Sequence, residues 1–154
     1  MVSKEKILDL IKDQLAEKEL FIISLEISSS NNIKVIIDGM KGVSINDCVM
    51  LSRRIEHNLD RDEDDFELEV SSAGITEPFR IREQYLKNLG REVEVVLKNG
   101  LKETGKLINA DDNRFGIKVE KWVRTEGKKK KQRISEIKYF DYQAGSKVRT
   151  VIKF

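Results

Sequence analysis

Few side chains in this 154-residue chain stand where they could make or break bonds. His57 is the only histidine and Cys48 the only cysteine. A Cys–His or Ser–His engine needs its nucleophile within hydrogen-bond reach of the base. Helical spacing instead sets these two on opposite faces. His57 reads as a solvated residue among arginines, and Cys48 as a small core residue. Asp60, Asp62 and Asp64 imitate the opening of a calcium loop, in which alternate oxygens converge on one ion. The pattern then fails. Its sixth position is Asp65 where glycine is needed, and its twelfth is Ser71 where a bidentate glutamate is needed. Gly145-Ser-Lys147 lacks the upstream glycine of a phosphate loop. The expectation is a protein without catalysis, metal site, cofactor or small-molecule substrate.

What the chain does carry is charge, unevenly placed. Residues 1–72 hold 9 Lys+Arg against 16 Asp+Glu, a net of −7, whereas residues 73–154 hold 20 against 11, a net of +9. That polarity points to a partner with both basic and acidic surfaces, and a ribonucleoprotein is one such object. Lys128, Lys129, Lys130 and Lys131 are consecutive at an expected hairpin tip, flanked by Arg124 and Arg133. They are candidates for electrostatic contact with RNA phosphates. The competing reading is a solubilising loop. Glu67 and Glu69 project from the polar side of an expected strand, with Glu26 on the same-facing row of another. They are candidates for holding a basic protein, against the reading of a solvated face of an antiparallel sheet. Trp122 and Phe115 could stack on bases, although a barrel core is the natural place for Phe115. There is no RNP-type aromatic signature and no flanked GXXG loop, so RNA contact is expected to be with backbone and shape.

Two sets of elements must position these residues. In the first half, Ile7, Leu8, Ile11 and Leu15 recur at helical spacing after Ser3, a candidate N-cap, and predict a helix over 4–18. The period then becomes two. Phe21, Ile23, Leu25 and Ile27 are expected on one side of a strand, with Ser24 and Glu26 on the other. The polar cluster 28–32 turns the chain into a second strand with Ile33, Val35 and Ile37. Ser44 is set to cap a second helix, with Asp47 as its capping-box partner. The inner face of that helix is expected to be Ile45, Cys48, Ser52, Ile55 and Leu59. Phe66, Leu68 and Val70 alternate with acidic and polar neighbours in a third strand. The expected first domain, 1–72, is therefore α+β, in the order α-β-β-α-β, with two helices on one face of a three-stranded sheet.

Pro78, the only proline, marks a change of structure. Residues 73–90 are expected to be a linker with a short helical turn, open to proteolysis. After Gly90, Val93, Val95 and Leu97 alternate with polar residues. Asn99-Gly100 signals a hairpin, and Gly105 inside the return strand suggests a barrel corner. Phe115, Ile117 and Val119 form a further inward row, and Val148 to Phe154 could close the sheet. Short strands at short intervals predict a small all-β barrel over 91–154. The absence of an apolar leader or of any long apolar run, together with a single cysteine, suggests a reducing, cytoplasmic protein with no membrane partner.

Three stretches together resemble the ribosome maturation factor RimP family. Lys34-Val-Ile-Ile-Asp38, Gly42-Val-Ser-Ile-Asn-Asp-Cys48 and Leu51-Ser-Arg-Arg54 resemble its strand–turn–helix. Leu68-Glu-Val-Ser-Ser-Ala-Gly74, followed by Pro78-Phe79, resembles its junction signature E-V-S-S-P-G-L-x-R-P-L. Residues 90–112 resemble the opening hairpin of its second domain. The junction motif falls on Ser71, Ser72, Gly74 and Pro78. Ala73 replaces a family proline, Glu77 stands where a basic residue is usual, and Tyr139 to Lys147 reads as an insertion. The resemblance implies an SH3-like barrel for the second domain. It also implies a non-enzymatic role in maturing the small ribosomal subunit. The implied partners are the immature subunit, rRNA and a basic small-subunit ribosomal protein of the decoding region. The alternative is a free-standing RNA-binding regulator on an Sm-like or SH3-like barrel, with the acidic half serving solubility.

Overall fold

The computed structural model of the chain describes residues 2–63, 65–124, 126–127 and 130–151. It divides into two compact units, Met1–Gly74 and Ile75–Phe154.

The first unit runs α1 (Lys4–Glu17), β1 (Leu20–Ile27), β2 (Asn32–Gly39), α2 (Ile45–His57) and β3 (Glu67–Ser72). The Ser3 hydroxyl accepts the Lys6 N–H and starts α1. At α2 the capping box is complete. The Ser44 hydroxyl accepts the Asp47 N–H at 3.1 Å, and the Asp47 carboxylate accepts the Ser44 N–H at 2.9 Å. The sheet order is β1-β2-β3, with β1 antiparallel and β3 parallel to β2. The sheet is thus mixed, because α2 carries the chain back before β3 begins. Ile7, Ile11, Leu51, Ile55, Ile33, Val35 and Ile37 form the centre of the core.

Two details of the expected core differ. The inner stripe of α2 centres on Leu51 and Ile55, flanked by the partly buried Cys48 and Leu59, while Ile45 is 84% exposed. Ile45 directly follows the cap and falls off the end of the stripe. In β1 a bulge interrupts the register between Ile22 and Ser24. The extra residue reverses the alternation, so Leu20 and Ile22 join Leu25 and Ile27 on the core side. Phe21 instead lies in register with Asp38.

The second unit runs α3 (Arg82–Lys87), β4 (Glu92–Val96), β5 (Lys102–Ala110), β6 (Arg114–Val123), β7 (Gln132–Asp141), a 3-10 turn (Tyr142–Ala144) and β8 (Lys147–Thr150). The five-stranded antiparallel sheet has the order β7-β6-β5-β4-β8, so the second unit is built on a single all-β sheet. The Asn99-Gly100 hairpin closes through Leu97 N–H to Leu101 O, with Gly100 at φ +88°. Val93, Val95, Leu107, Phe115, Ile117 and Val148 are fully buried. Phe115 lies 5.0 Å from Tyr85 and 5.4 Å from Phe140 by ring centroids. Residues 139–141, the start of the stretch read as an insertion, continue β7 and pair with residues 114–116 of β6.

Within the segment expected as a linker, residues from Phe79 onward are tied to the second unit. The Phe79 N–H donates to Val148 O, and Phe79 and Tyr85 pack into its core. The Gln84 side-chain oxygen accepts the Ile81 N–H at 3.1 Å and also the Arg80 N–H, which fixes the start of α3.

Candidate functional site

The helices cover one face of the first sheet and leave the other open. Strand pairing decides what that open face presents. Glu26 pairs with Lys34, Lys34 with Glu69, and Asn32 with Glu67. Side chains of paired residues point to the same side. All three candidate glutamates therefore share one surface and are exposed on it, with Lys34 between two of them. Asp38, Ser71 and Ile36 continue the same side. Such a face can hold a basic extended segment through exposed carboxylates, in an electrostatic contact of the encounter-steering kind.

Ser71 and Ser72 end β3 opposite Ile36 and Ile37, and Gly74 closes the first unit. Pro78 precedes the Phe79 anchor of the second unit. Two arginines of the α2 region, Arg54 and Arg61, are structural. Arg54 Nε donates to Leu10 O at 3.1 Å. Arg61 donates to Phe66 O at 2.7 Å, pairs with Glu56 and Asp65, and stands 4.1 Å from the Phe66 ring centroid.

The acid run after α2 caps turns: the Asp60 carboxylate accepts the Asp62 N–H at 2.8 Å, and that of Asp65 accepts the Phe66 N–H at 3.0 Å. Asp64 lies outside the described residues. No cluster of three metal-ligating side chains occurs among the described residues. Burial pushes the Cys48 thiol above its ordinary range, which keeps it protonated and poorly nucleophilic.

In the second unit Arg124 follows β6 and is exposed, as are Lys130 and Lys131 before β7. Lys128 and Lys129 lie outside the described residues. Arg133 pairs across the ladder with Trp122, and its guanidinium is ion-paired with Glu120. Arg133 is therefore held to the sheet, whereas Arg124, Lys130 and Lys131 belong to the hairpin end.

The two aromatic candidates separate cleanly. Phe115 is 0% exposed in the core, and Trp122 is 67% exposed on the outer side of β6. Lys106 and Lys118 emerge as further cations only once the strands are paired, because they stand directly opposite each other on β5 and β6. No local motif around either lysine marks it out. The alternation of β6 about Phe115, Ile117 and Val119 is the one sequence signal that places Lys118 outward. No helix among the described residues is long and apolar enough to cross a membrane.

Comparison with known proteins adds a family to this geometry. A family model described as the RimP N-terminal domain matches residues 10–76. A ribosome maturation factor RimP of Christiangramia forsetii is 49% identical over 120 residues, covering 74% of each chain. The protein of that name from Porphyromonas gingivalis is 39% identical over 132 residues, covering 86% of this chain and 87% of its own. That from Flavobacterium psychrophilum is 47% identical over 96 residues, 62% of each.

Proposed function

The chain belongs to the ribosome maturation factor RimP family, and on that premise we propose that it is a cytoplasmic, non-enzymatic assembly factor for the small ribosomal subunit. It engages the immature subunit at two places. The acidic open sheet face of the first unit takes a basic small-subunit ribosomal protein of the decoding region. The basic second unit takes rRNA.

The observation that carries the reading is the opposed charge of the two halves, −7 and +9, with Glu26, Glu67 and Glu69 on one uncovered surface of the negative half. A nascent ribonucleoprotein offers both complements at once. Two weak electrostatic contacts on one chain reinforce each other through effective concentration. The second reading, a free-standing RNA-binding regulator, leaves the acidic surface without a partner.

Sedimentation of a cell extract separates the two readings. Co-migration of the tagged full chain with free small subunits supports the assembly role. Spread over mRNA-sized complexes supports the regulator and overturns the assembly role. The Lys128–Lys131 run enters as a salt-sensitive, sequence-independent contribution. If all four lysines met phosphates they would add roughly −3 to the log–log salt slope. Replacing all four with alanine should remove that share without altering the far-UV CD spectrum. An unchanged slope would leave the run a solubilising loop.

A further inference from the structure

The outer side of the second sheet holds an open groove of about 860 Å³ that crosses four strands. Its lining includes Glu92 of β4, Lys106 of β5, Lys118, Glu120 and Trp122 of β6, and Arg133 of β7. Lys106 and Lys118 are cross-strand partners. Two like charges directly opposite each other are locally unfavourable. Neither lysine takes part in an ion pair among the described residues. The pair sits beside Gly105. There a Cβ would come 2.6 Å from Lys118 O, so β5 and β6 approach closely at this point. Of the two carboxylates in the lining, Glu120 is ion-paired with Arg133, and Glu92 stands directly across the ladder from Lys106. Lys118 has only Lys106 and Ile137 as cross-strand neighbours, so it is the groove cation with no carboxylate opposite it, in a unit whose net charge is already positive. An anion is the occupant that relieves the Lys106–Lys118 pair.

Trp122 supplies the second requirement. It is 67% exposed and makes no ring or cation–π contact among the described residues. Tyr139, on the same side, differs. The Arg114 guanidinium stands 4.3 Å from its ring centroid, and its ring lies against Gly116. Trp122 and Lys118 are four residues apart on β6, about 13 Å at ~3.3 Å per residue. That length matches about four stacked nucleotides at ~3.4 Å each. An open aromatic face together with cations along one groove is the arrangement by which sheets hold unpaired nucleic acid.

We propose that this groove binds a short unpaired RNA segment, with one base lying on the Trp122 indole and phosphates a few nucleotides further along the strand on Lys106 and Lys118. This rests on the rRNA-binding reading above and deepens it. The segment recognised is single-stranded, and a base as well as the backbone is engaged.

Trp122 is the only tryptophan, so its emission reports the site directly. The full-length protein is titrated with an unlabelled oligoadenylate of about eight nucleotides, with an abasic ribose-phosphate strand of equal length, and with a fluorescein-labelled oligoadenylate followed by anisotropy. Saturable quenching of the indole is expected at the midpoint seen by anisotropy. The abasic strand should bind about ten-fold or more weaker and should not quench. Trp122→Ala should lose a similar factor, and Trp122→Phe should keep most of the affinity. Lys106→Ala/Lys118→Ala should flatten the single-strand salt slope by roughly 1.4. Far-UV CD guards against misfolding. Oligoadenylate binding without quenching, equal binding of the abasic strand, or wild-type affinity in Trp122→Ala overturns the proposal. Co-sedimentation with immature subunits is read separately. Subunit association without quenching removes the groove and leaves the assembly role standing. Quenching without subunit association does the reverse.

Discussion

Reversing Glu67 and Glu69 together tests whether the open face of the first sheet, rather than bulk charge, recognises the partner. Each Glu→Lys change alters the charge by two, so the pair moves residues 1–72 from −7 to −3. At an encounter distance of ~10 Å in water, one unit-charge pair is worth ~0.4 kcal/mol. Two reversals facing a single partner charge therefore remove ~1.7 kcal/mol before screening, about 16-fold in association rate. Near 0.1 M salt, one Debye length of ~10 Å cuts this to about three-fold. Dissociation should change less, because exposed rim charges steer encounter more than they hold the complex.

The assay is the kinetics of binding to immobilised immature small subunits at about 30 mM and about 150 mM salt. The control is Asp13→Lys/Glu17→Lys, which makes the same change in net charge on exposed positions of α1. Cross-strand pairing also predicts an asymmetry in stability. Glu69→Lys sets a lysine opposite Lys34, whereas Glu67→Lys faces only Asn32, so the first should lower the thermal midpoint more than the second. Equal slowing by the α1 control would mean that net charge acts without regard to face. No slowing by either pair would mean that the acidic half does not steer association.

Three further outcomes follow from the cores and caps. Phe115→Ala removes a ring with 0% exposure, packed against Tyr85 and Phe140. Unfolding in urea followed by CD should show a loss of about 3–5 kcal/mol, and a loss below ~1 kcal/mol would displace Phe115 from the centre of the core. Gly105→Ala places a Cβ 2.6 Å from Lys118 O and 3.0 Å from its carbon, both backbone atoms. β5 and β6 must then part, and the expected cost is about 1–3 kcal/mol by the same assay, whereas an unchanged midpoint would show the ladder to be pliable there. The Asp47 carboxyl is held below its ordinary range chiefly by the Ser44 N–H and then by the Ser44 hydroxyl. A carboxyl depressed in the folded state stabilises above its unfolded pKa and loses that contribution as pH falls through the folded value. The thermal-midpoint gap between wild type and Asp47→Ala, present at neutral pH, should therefore close as the pH falls through and below the ordinary carboxylate range, and a gap independent of pH would rule out the charged cap as its source.

The elements were legible wherever one local rule decided them. Ser3 and Ser44 cap their helices, Asn99-Gly100 turns its hairpin, and the Phe115–Ile117–Val119 row points inward as period two requires. Misplacements occurred where two patterns were nearly degenerate. A 3.6-residue period accommodates Ser52 as readily as Leu51, and only packing on the sheet selects Leu51. Leu8, also read as part of the apolar stripe of α1, is 41% exposed, and Leu10 packs on the core instead. The bulge in β1 leaves no unmistakable mark in Leu-Phe-Ile-Ile, where every residue is apolar and either alternation fits. Residues 139–147 read as an insertion against the family pattern, and sequence alone assigns them no structure because two consecutive aromatics, Tyr139 and Phe140, mask any alternation. The ladder with β6 assigns these to opposite sides.

The two candidate surfaces divide along the same line. Charge alone announced that one half is acidic and the other basic, since formal charge needs no coordinates. Which charges stand together is a property of register. Glu26 and Glu69 are 43 positions apart in the sequence and meet only through Lys34, which pairs with both. Lys106 and Lys118 meet only because β5 and β6 pair at that offset. A one-residue slip in either ladder would turn an entire row to the other face. The buried sides, Val35 between Leu25 and Val70 and Leu107 opposite Ile117, forbid that slip. The cores thus do more than stabilise the two units. By fixing register from the inside, they determine which charges and which aromatic ring each open face presents.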